Sequence, residues 1–389
     1  MSQPFLFQPL TLRGVCLPNR IVISPMCQYS AIDGIANDWH LVHLGKFAQG
    51  GAGVVMVEAT AVVPEGRITH GDLGLWNDAQ QAPLARIAAF VQSQGAVPAI
   101  QLAHAGRKAS MQRPWYGNAA LTVEDRARGD QPWPIVAPSA IPLEDGWLMP
   151  HALTVAEMVA LREQWRLATL RAAAAGFALL EVHCAHGYLL HEFLSPLSNR
   201  RDDAYGGDRA GRMRFPLEII ETVRAAWPAD RPLSVRISSV DGVDGGVQIE
   251  DSIAFAREAK ARGVDVIDCS SGGLMGSATA ARIPRGYGFQ VPYAAAIRRE
   301  AEIATMAVGL IVHPQQAEDV LAQGEADLIG IGREVLFDPN WPLHARLSLT
   351  DADGGERFGD WPEQYGWWLE RREPGLRKLE GPALPYRRG

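Results

Sequence analysis

The sequence contains few cysteines, and these four, Cys16, Cys27, Cys184 and Cys269, are widely spaced without a CxxC pair. Their spacing argues against a disulfide framework and a zinc ribbon, and it favours a protein of the reducing cytoplasm. Long hydrophobic runs are also missing. No uninterrupted apolar stretch approaches the roughly 18 residues of a membrane-spanning helix. The amino terminus lacks the basic and apolar regions of a signal peptide.

Positive charge is not in excess either. The chain has 37 lysines and arginines against 44 aspartates and glutamates, which gives a net charge of −7. This balance provides no basic surface for nucleic acid, although local arginines can still bind small anions. What the chain does have is length, 389 residues with 47% hydrophobic content, which is enough for a large core. We therefore expect a cytoplasmic protein with neither a nucleic-acid partner nor a membrane partner.

Short apolar runs alternate with helical patterns along most of the chain, which predicts parallel strands joined by crossover helices. Thr154 and Glu157, for example, form the capping box of a helix that should run through Ala175 and stop at Gly176. The predicted strands are residues 21–24, 54–58, 97–102, 177–182, 233–237, 264–268, 305–308 and 328–331. This alternation predicts an α/β fold, a single (β/α)8 barrel spanning residues 1–389. A doubly wound sheet would alternate in a similar way and stays open at this point.

One long segment interrupts the alternation after the third predicted strand. Residues 106–150 are rich in proline, tryptophan and charge and show no clear periodicity. Long connections in compact domains are usually functional, so we expect a lid or cap inserted within the barrel.

Chemistry-bearing residues follow the fourth predicted strand, where a barrel places its active site. His183, His186 and Tyr188 come directly after the apolar run. A single histidine beside such a run is more often structural than catalytic. Two histidines and a tyrosine within six positions favour a site that presents hydrogen-bond donors to a small polar group.

The last strand ends carry a different chemistry. Gly309 follows the seventh strand, and Gly332 and Arg333 follow the eighth. Glycines let backbone N–H groups approach an anion, and an arginine adds a bidentate contact, so this corner predicts a phosphate site. Arg236, inside the fifth strand pattern, would lie beneath it and stabilise negative charge on a ring. Gln101, at the end of the third strand, could hydrogen-bond the same ring.

Six segments of the chain form long motifs: SPMCQYSA (24–31), NDWHLVHL (37–44), VEATAV (57–62), QLAHAGRKAS (101–110), HCAHGYLLHEFLSP (183–196) and SNRRDDAYGG (198–207). These motifs resemble those of the Old Yellow Enzyme family, and the resemblance covers nearly the whole sequence. The resemblance implies an FMN-dependent ene-reductase on a (β/α)8 barrel, with NADPH or NADH as the hydride donor. Cys27 and Tyr29 are similar to residues of the thermophilic-like subgroup, and most of all to those of the xenobiotic reductases.

The resemblance also assigns roles to individual positions. The implied flavin contacts are Ser24, Pro25, Met26, Cys27, Ala59, Gln101 and Arg236, and the implied phosphate contacts are Gly309, Gly332 and Arg333. Cys27 would lie near flavin N5, where it would tune the potential and substrate affinity. His183 and His186 would hold the substrate's carbonyl oxygen. Tyr188 would donate the proton, and Tyr29 would line the substrate pocket.

In the implied reaction, the reduced nicotinamide reduces FMN and leaves. Hydride then passes to the β-carbon of an α,β-unsaturated carbonyl, or of a related nitro or xenobiotic compound.

Three alternative functions stay open. One is a metal-dependent barrel hydrolase with His183 and His186 as ligands, although their spacing is not that of a helical zinc pair. The second is a non-catalytic flavin-binding barrel. The third uses Cys27 as a covalent nucleophile, but no histidine–acid partner is evident. We expect no metal.

Three further segments depart from the common pattern or lie outside it. The tail, residues 350–389, is similar to a family tail that enters a neighbouring subunit, with Trp368 as the contact; this implies a homodimer or homotetramer with tail exchange. A tail that packs on its own barrel is the alternative. We assign no role to residues 238–247 from their sequence. In residues 274–290, Tyr287 or Phe289 would replace a tryptophan that lines the pocket of the xenobiotic reductases.

Overall fold

Eight parallel strands close into a barrel in the computed structural model of the chain, which describes residues 3–276, 283–350, 357–376 and 378–379. The strands are β1 (Ile21–Ile23), β2 (Val54–Ala61), β3 (Val97–Ala103), β4 (Leu179–Cys184), β5 (Leu233–Ser238), β6 (Val266–Ser270), β7 (Ala304–Val308) and β8 (Leu328–Ile331). Each strand pairs with its neighbour in chain order, and β8 pairs with β1. This closure confirms the predicted (β/α)8 barrel and excludes a doubly wound sheet, whose edges would stay open.

Helices connect successive strands, and one further helix follows the last strand. They are α1 (Asp38–Gln49), α2 (Gln81–Ser93), α3 (Val155–Ala174), α4 (Arg209–Ala226), α5 (Ile249–Ala261), α6 (Val291–Ala301), α7 (Pro314–Ala322) and α8 (Trp341–Leu349). The predicted start of α3 is confirmed, because Thr154 Oγ1 accepts the Glu157 N–H at 3.2 Å. The chain leaves this helix at Gly176, whose φ of +89° suits glycine.

Further helical elements lie in the connections and at the two ends. The α-helical ones are Val123–Ala127, Leu189–Leu194, Arg333–Phe337 and, in the tail, Glu363–Leu376. The 3₁₀ turns are Phe5–Phe7, Pro64–Gly66, Asp78–Gln80, Gly106–Lys108 and Pro114–Tyr116. Within the described residues, no helix is both long enough and apolar enough to cross a membrane.

The two ends of the barrel differ in chemistry. A cluster of apolar side chains fills the end at which the strands begin, and it includes Val54, Val97, Leu179 and Val266. Leu17, from the hairpin of strands Leu10–Leu12 and Val15–Leu17, packs against this cluster and closes that end. Polar side chains are therefore left for the opposite end, where the strands finish.

The long connection between β3 and α3 folds against the barrel. Its strands Val136–Ala137 and His151–Ala152 pair in parallel. Trp133 packs edge-on against His70 with ring centroids 4.7 Å apart. Whether residues 106–150 act as a lid stays a prediction.

The loop after β5, which received no role from its sequence, is organised by Asp241. Its carboxylate lies 2.8 Å from His191 Nε2 and accepts hydrogen bonds from Ser195 Oγ at 2.7 Å and the Val247 N–H at 2.8 Å. Burial alone would raise the pKa of Asp241, but His191 and these donors hold that pKa below its usual value. The contacts fasten the loop to the segment that follows β4.

Replacing this carboxylate should destabilise the protein. Asp241→Ala leaves three buried groups without their acceptor, and we expect a loss of about 3 kcal/mol in the free energy of unfolding. Because the pKa is depressed in the folded state, this contribution is present above the unfolded pKa of about 3.9 and is lost as the pH falls through the lower folded value. Urea unfolding at pH 7 measures it. Asp244→Ala, at an exposed position of the same loop, is the control and should change stability by less than about 0.5 kcal/mol. Equal losses in both variants would contradict the role of Asp241.

Candidate active site

A cavity of about 280 Å³ opens at the carboxyl ends of the strands. Its wall includes Ser24, Pro25 and Met26 after β1, Arg236 on β5, residues 270–273 at the end of β6, residues 308–312 at the end of β7, and Gly330, Gly332 and Arg333 at β8. Eight of the positions predicted from the sequence therefore meet here: Ser24, Pro25, Met26, His186, Arg236, Gly309, Gly332 and Arg333. This is the position at which barrels of this type bind their ligands.

Glycines leave space for a ligand in the cavity wall beside β7 and β8. Gly309 has a φ of +118°, and a Cβ there would lie 2.7 Å from Gln290 Nε2. A Cβ on Gly330 would approach Ser24 Oγ to 3.0 Å. Side chains at either position would fill the cradle, so glycine is required for a ligand to lie against this backbone.

One buried polar atom at the cavity, Ser24 Oγ, has no hydrogen-bond partner among the described residues. The Arg236 guanidinium, which also lines the cavity, is paired on one side with Asp268, whose Oδ2 lies 3.2 Å from Arg236 Nε. An unpaired buried donor is costly, which indicates that the cavity suits a ligand with polar atoms. A flavin mononucleotide fits this set, because its ring offers hydrogen-bond acceptors and its phosphate matches the glycine-lined corner with Arg333.

His183, His186 and Tyr188 form one buried cluster beside this cavity. The His183 ring centroid lies 5.3 Å from that of His186 and 5.0 Å from that of Tyr188, both nearly perpendicular. His186 adopts a φ of +60°. Ser238 Oγ accepts its N–H at 2.9 Å, and Ser270 Oγ lies 2.7 Å from its Nε2.

Both imidazoles are held uncharged. Burial first, and then the positive charge of Arg236, keep the pKa of His183 and of His186 well below the usual value. His183 Nδ1 accepts the Ala185 N–H at 3.2 Å. A neutral imidazole carries one N–H, so in His183 that proton lies on Nε2, which is a hydrogen-bond donor.

Tyr188, Cys27 and Tyr29 are also kept protonated. Burial is the main cause that raises the pKa of each group, and the nearby carboxyl groups of Glu58 and Asp72 add to it for Cys27 and Tyr29. A thiol held in its neutral form is a weak nucleophile. This electrostatic environment argues against Cys27 as a covalent nucleophile.

The remaining predicted residues lie at different distances from the cavity. Ala59 and Tyr188 line a separate cleft of about 10 Å³. Gln101 is buried within the barrel, where its Nε2 donates to Glu181 Oε1 at 2.8 Å. Phe289 lines the main cavity, whereas Tyr287 is 72% exposed; residues 277–282 of the same loop lie outside the described part. Trp368 is 68% exposed on the tail helix, away from this cavity.

Sequence reasoning missed Lys108, a lysine that is 1% exposed. Its Nζ donates to the carbonyl oxygen of His186 at 2.9 Å and to that of Gly273. Burial lowers the pKa of Lys108 to about 7. The motif QLAHAGRKAS contains this lysine, but a lysine in a loop is ordinarily exposed, so no sequence signal revealed its burial.

The fold and the site together define a (β/α)8-barrel enzyme. The barrel is closed and parallel, and uncharged imidazoles, a guanidinium and a glycine-lined cavity lie at the end where its strands finish. A family model described as the NADH:flavin oxidoreductase / NADH oxidase family matches residues 5–351. The chain belongs to this family, the Old Yellow Enzyme family. It is accordingly an oxidoreductase that uses FMN and takes hydride from a reduced nicotinamide.

Curated relatives and solved structures agree with this assignment. The NADPH dehydrogenase of Geobacillus sp. (strain WCH70) is 44% identical over 349 residues, 89% of this chain and 95% of that protein. The NADPH dehydrogenase of Listeria monocytogenes serotype 4a (strain HCC23) is 44% identical over 92% of this chain and 98% of its own length. Morphinone reductase superposes with a TM-score of 0.73 at 27% identity, covering 93% of this chain and 96% of that one. The old yellow enzyme homologue from Zymomonas mobilis gives 0.72 at 25% identity, covering 93% and 99%.

The lowered histidine pKa values can be measured directly. We expect His183 and His186 to stay uncharged at pH 6, below the usual histidine pKa of about 6.5, because burial and Arg236 oppose protonation. Nitrogen-15 NMR of histidine-labelled protein should show the Nε2–H tautomer for His183. The signal that is missing from the spectrum of the His183→Gln variant is the one that belongs to His183. A His183 signal that titrates near pH 6.5 would contradict the electrostatic account.

Proposed function

We propose that this enzyme is an NADPH-dependent ene-reductase that reduces the activated double bond of α,β-unsaturated carbonyl compounds. The carrying observation is the pair of uncharged imidazoles, His183 and His186, with the ring of His183 packed edge-on against the protonated phenol of Tyr188. The names of the relatives above, NADPH dehydrogenase and morphinone reductase, support the donor and the reductase chemistry. The four free cysteines support a location in the reducing cytoplasm.

The cavity residues would hold the cofactor. Ser24, Pro25, Met26 and Arg236 would line the flavin ring, with Cys27, Ala59 and Gln101 near it. Gly309, Gly332 and Arg333 would receive the phosphate. Bound FMN supplies hydride transfer between the nicotinamide and the substrate carbon. The protein's share of the reaction is to bind, to orient and to stabilise charge.

The histidines would hold the carbonyl oxygen of the substrate. His183 offers its Nε2–H, since its Nδ1 is occupied by the Ala185 N–H. His186 is oriented by Ser238 and Ser270. Negative charge develops on the carbonyl oxygen as hydride reaches the β-carbon, and fixed donors in a desolvated site stabilise that charge.

Tyr188 would supply the second hydrogen. Burial raises the pKa of its phenol, so the proton stays on Oη until a carbanion-like centre forms next to it. Transfer to the α-carbon completes the reduction. Tyr29, whose ring lies 5.9 Å from that of Trp115, would form the outer wall of the substrate pocket together with Phe289.

The metal-hydrolase rival gains no support. Within the described ranges, no group of three or more histidine, cysteine, aspartate or glutamate side chains could hold a metal ion. His183 Nδ1 and His186 Nε2 are each engaged with a protein group, Ala185 and Ser270. No observation favours a barrel that binds flavin without turnover.

The proposal is tested by absorption spectroscopy of the purified, FMN-loaded protein under anaerobic conditions. NADPH should bleach the flavin band, and 2-cyclohexen-1-one should restore it. A band that NADPH does not bleach would contradict NADPH as the donor. A band that bleaches but does not return would contradict the enone as the acceptor.

Two variants separate the roles within the same experiment. His183→Ala should slow the return of the band at least about tenfold, because it removes one oxyanion donor, and leave bleaching by NADPH less affected. Tyr188→Phe keeps the ring and removes only the proton, so it should slow the return by about 10² or more. Unchanged enone reduction in either variant would refute that residue's role.

We further propose that the tail reaches a neighbouring subunit of a homodimer or homotetramer. The base of the tail is held on its own barrel, where Asp360 lies 3.2 Å from Arg346 and the Trp361 ring 5.5 Å from His344. Trp368, further along the tail helix, is exposed. Much of residues 350–389, including 351–356 and 381–389, lies outside the described part.

Light scattering after size exclusion tests this arrangement. The wild type should elute as a dimer or tetramer, and Trp368→Ala should raise the KM for the enone if the tail enters the neighbour's site. A monomeric wild type would contradict tail exchange. A variant with unchanged KM would show that Trp368 does not reach the substrate.

A further inference from the structure

Three ionisable side chains are buried together inside the barrel, below the cavity. They are Arg236 on β5, Asp268 on β6 and Glu181 on β4, exposed by 8%, 0% and 0%. The strand register explains the grouping, because Arg236 pairs with Asp268 and Glu181 pairs with Gln101 and Ser234. The charge of Arg236 therefore acts on two buried carboxyl groups, of which only Asp268 forms an ion pair with it. The reaction described above uses neither carboxyl group.

The two carboxyl groups have different partners. Asp268 Oδ2 lies 3.2 Å from Arg236 Nε, and neither Asp268 oxygen has a hydrogen-bond partner among the described residues. Glu181 instead lies between two uncharged groups. Gln101 Nε2 donates to Glu181 Oε1 at 2.8 Å, and Ser234 Oγ lies 2.8 Å from Oε2, where the hydroxyl can accept the proton of a neutral carboxyl group. Asp268 is thus paired with a positive charge, whereas Glu181 is paired with neutral groups.

Electrostatics decides which carboxyl group carries a charge. An unpaired charge in a barrel interior is strongly unfavourable, and Arg236 can neutralise only one carboxylate. Burial and the negative charge of Asp268 raise the pKa of Glu181 to about 8. Burial also raises the pKa of Asp268, but Arg236 opposes that rise. The 3.2 Å contact therefore identifies Asp268 as the carboxylate that pairs with Arg236, and the raised pKa of Glu181 favours its protonated form.

We propose that Asp268 is a positioning residue that holds Arg236 against bound FMN and lowers the flavin's reduction potential, while Glu181 stays uncharged and leaves that potential unaltered. The inference rests on the proposed placement of FMN against Arg236. Reduction adds negative charge to the flavin, which Arg236 stabilises. Asp268 offsets part of that stabilisation because it places an opposite charge 3.2 Å from the guanidinium.

The test compares two variants with the same chemical change, carboxyl to amide, in the FMN-loaded enzyme. Spectroelectrochemistry at pH 7 gives the reduction potential. Asp268→Asn should favour reduced over oxidised FMN by at least tenfold, a rise of about 30 mV for a two-electron couple. Glu181→Gln should leave the potential unchanged, because it replaces one uncharged group with another.

A third variant, Arg236→Met, separates this inference from the proposed function. It should lower the potential and weaken FMN binding, measured by fluorescence. An Arg236→Met enzyme with unchanged potential and FMN affinity would show that FMN does not lie against Arg236, and both proposals about that residue would fail. If Arg236→Met lowers the potential while Asp268→Asn leaves it unchanged, the FMN placement stands and only the role of Asp268 is wrong.

The Glu181→Gln variant tests the inference even if Asp268→Asn does not fold or loses its flavin. A rise in potential in Glu181→Gln would show that Glu181 is ionised and would overturn the proposal. Infrared difference spectroscopy also shows whether Glu181 is protonated, and it does not require turnover. The wild type should show the C=O stretch of a protonated carboxylic acid that Glu181→Gln lacks, and the absence of that band would contradict an uncharged Glu181.

Discussion

The positive charge of Arg236, buried in the interior of the barrel, is the constraint on which the surrounding polar groups depend. It lowers the pKa of His183 and His186 beyond the effect of burial, and it opposes the rise that burial causes in the pKa of Tyr188. Asp268 pairs with it, so the interior does not carry an isolated cation. Burial and this guanidinium together keep two imidazoles neutral, so each imidazole carries a single N–H.

The difference between the two ends of the barrel allows the protein to bury these charged groups and still be stable. Apolar side chains around Val54, Val97 and Val266 fill the end where the strands begin, and they contribute hydrophobic stabilisation without polar groups to satisfy. The other end can then contain buried charge and orphan donors such as Ser24 Oγ. Stability and chemistry are separated along the barrel axis, which is why so many polar side chains follow the strands without weakening the core.

The sequence predicted the barrel because its signals are local. Apolar runs that stop at glycine or at polar residues mark strands, and a capping box such as Thr154 with Glu157 marks a helix start. The residues at the strand ends were predicted for a related reason: parallel strands in a closed barrel must end on one side. His186, Arg236, Gly309 and Arg333 therefore meet at the cavity.

The residues that escaped prediction depend on partners distant in the chain. Glu181 and Asp268 interrupt apolar strands, but only the register shows that Asp268 meets Arg236 and Glu181 meets Ser234. Lys108 reads as a surface lysine until its contacts with His186 and Gly273 are seen. The sequence alone did not reveal these pairings, because they depend on the strand register and on how the loops after β3, β4 and β6 pack together.

These distant contacts also explain how the left-handed backbone of His186 is held. A Cβ on Gly187 would lie 2.4 Å from the Gly273 carbonyl oxygen, and one on Gly273 would lie 2.7 Å from His186 Cα. The loops after β4 and β6 therefore touch backbone to backbone, and Lys108 from the loop after β3 donates to both. A non-glycine residue at positive φ is strained and persists only where its surroundings fix it. Three loops fix His186, so the direction of its ring is set before any substrate arrives.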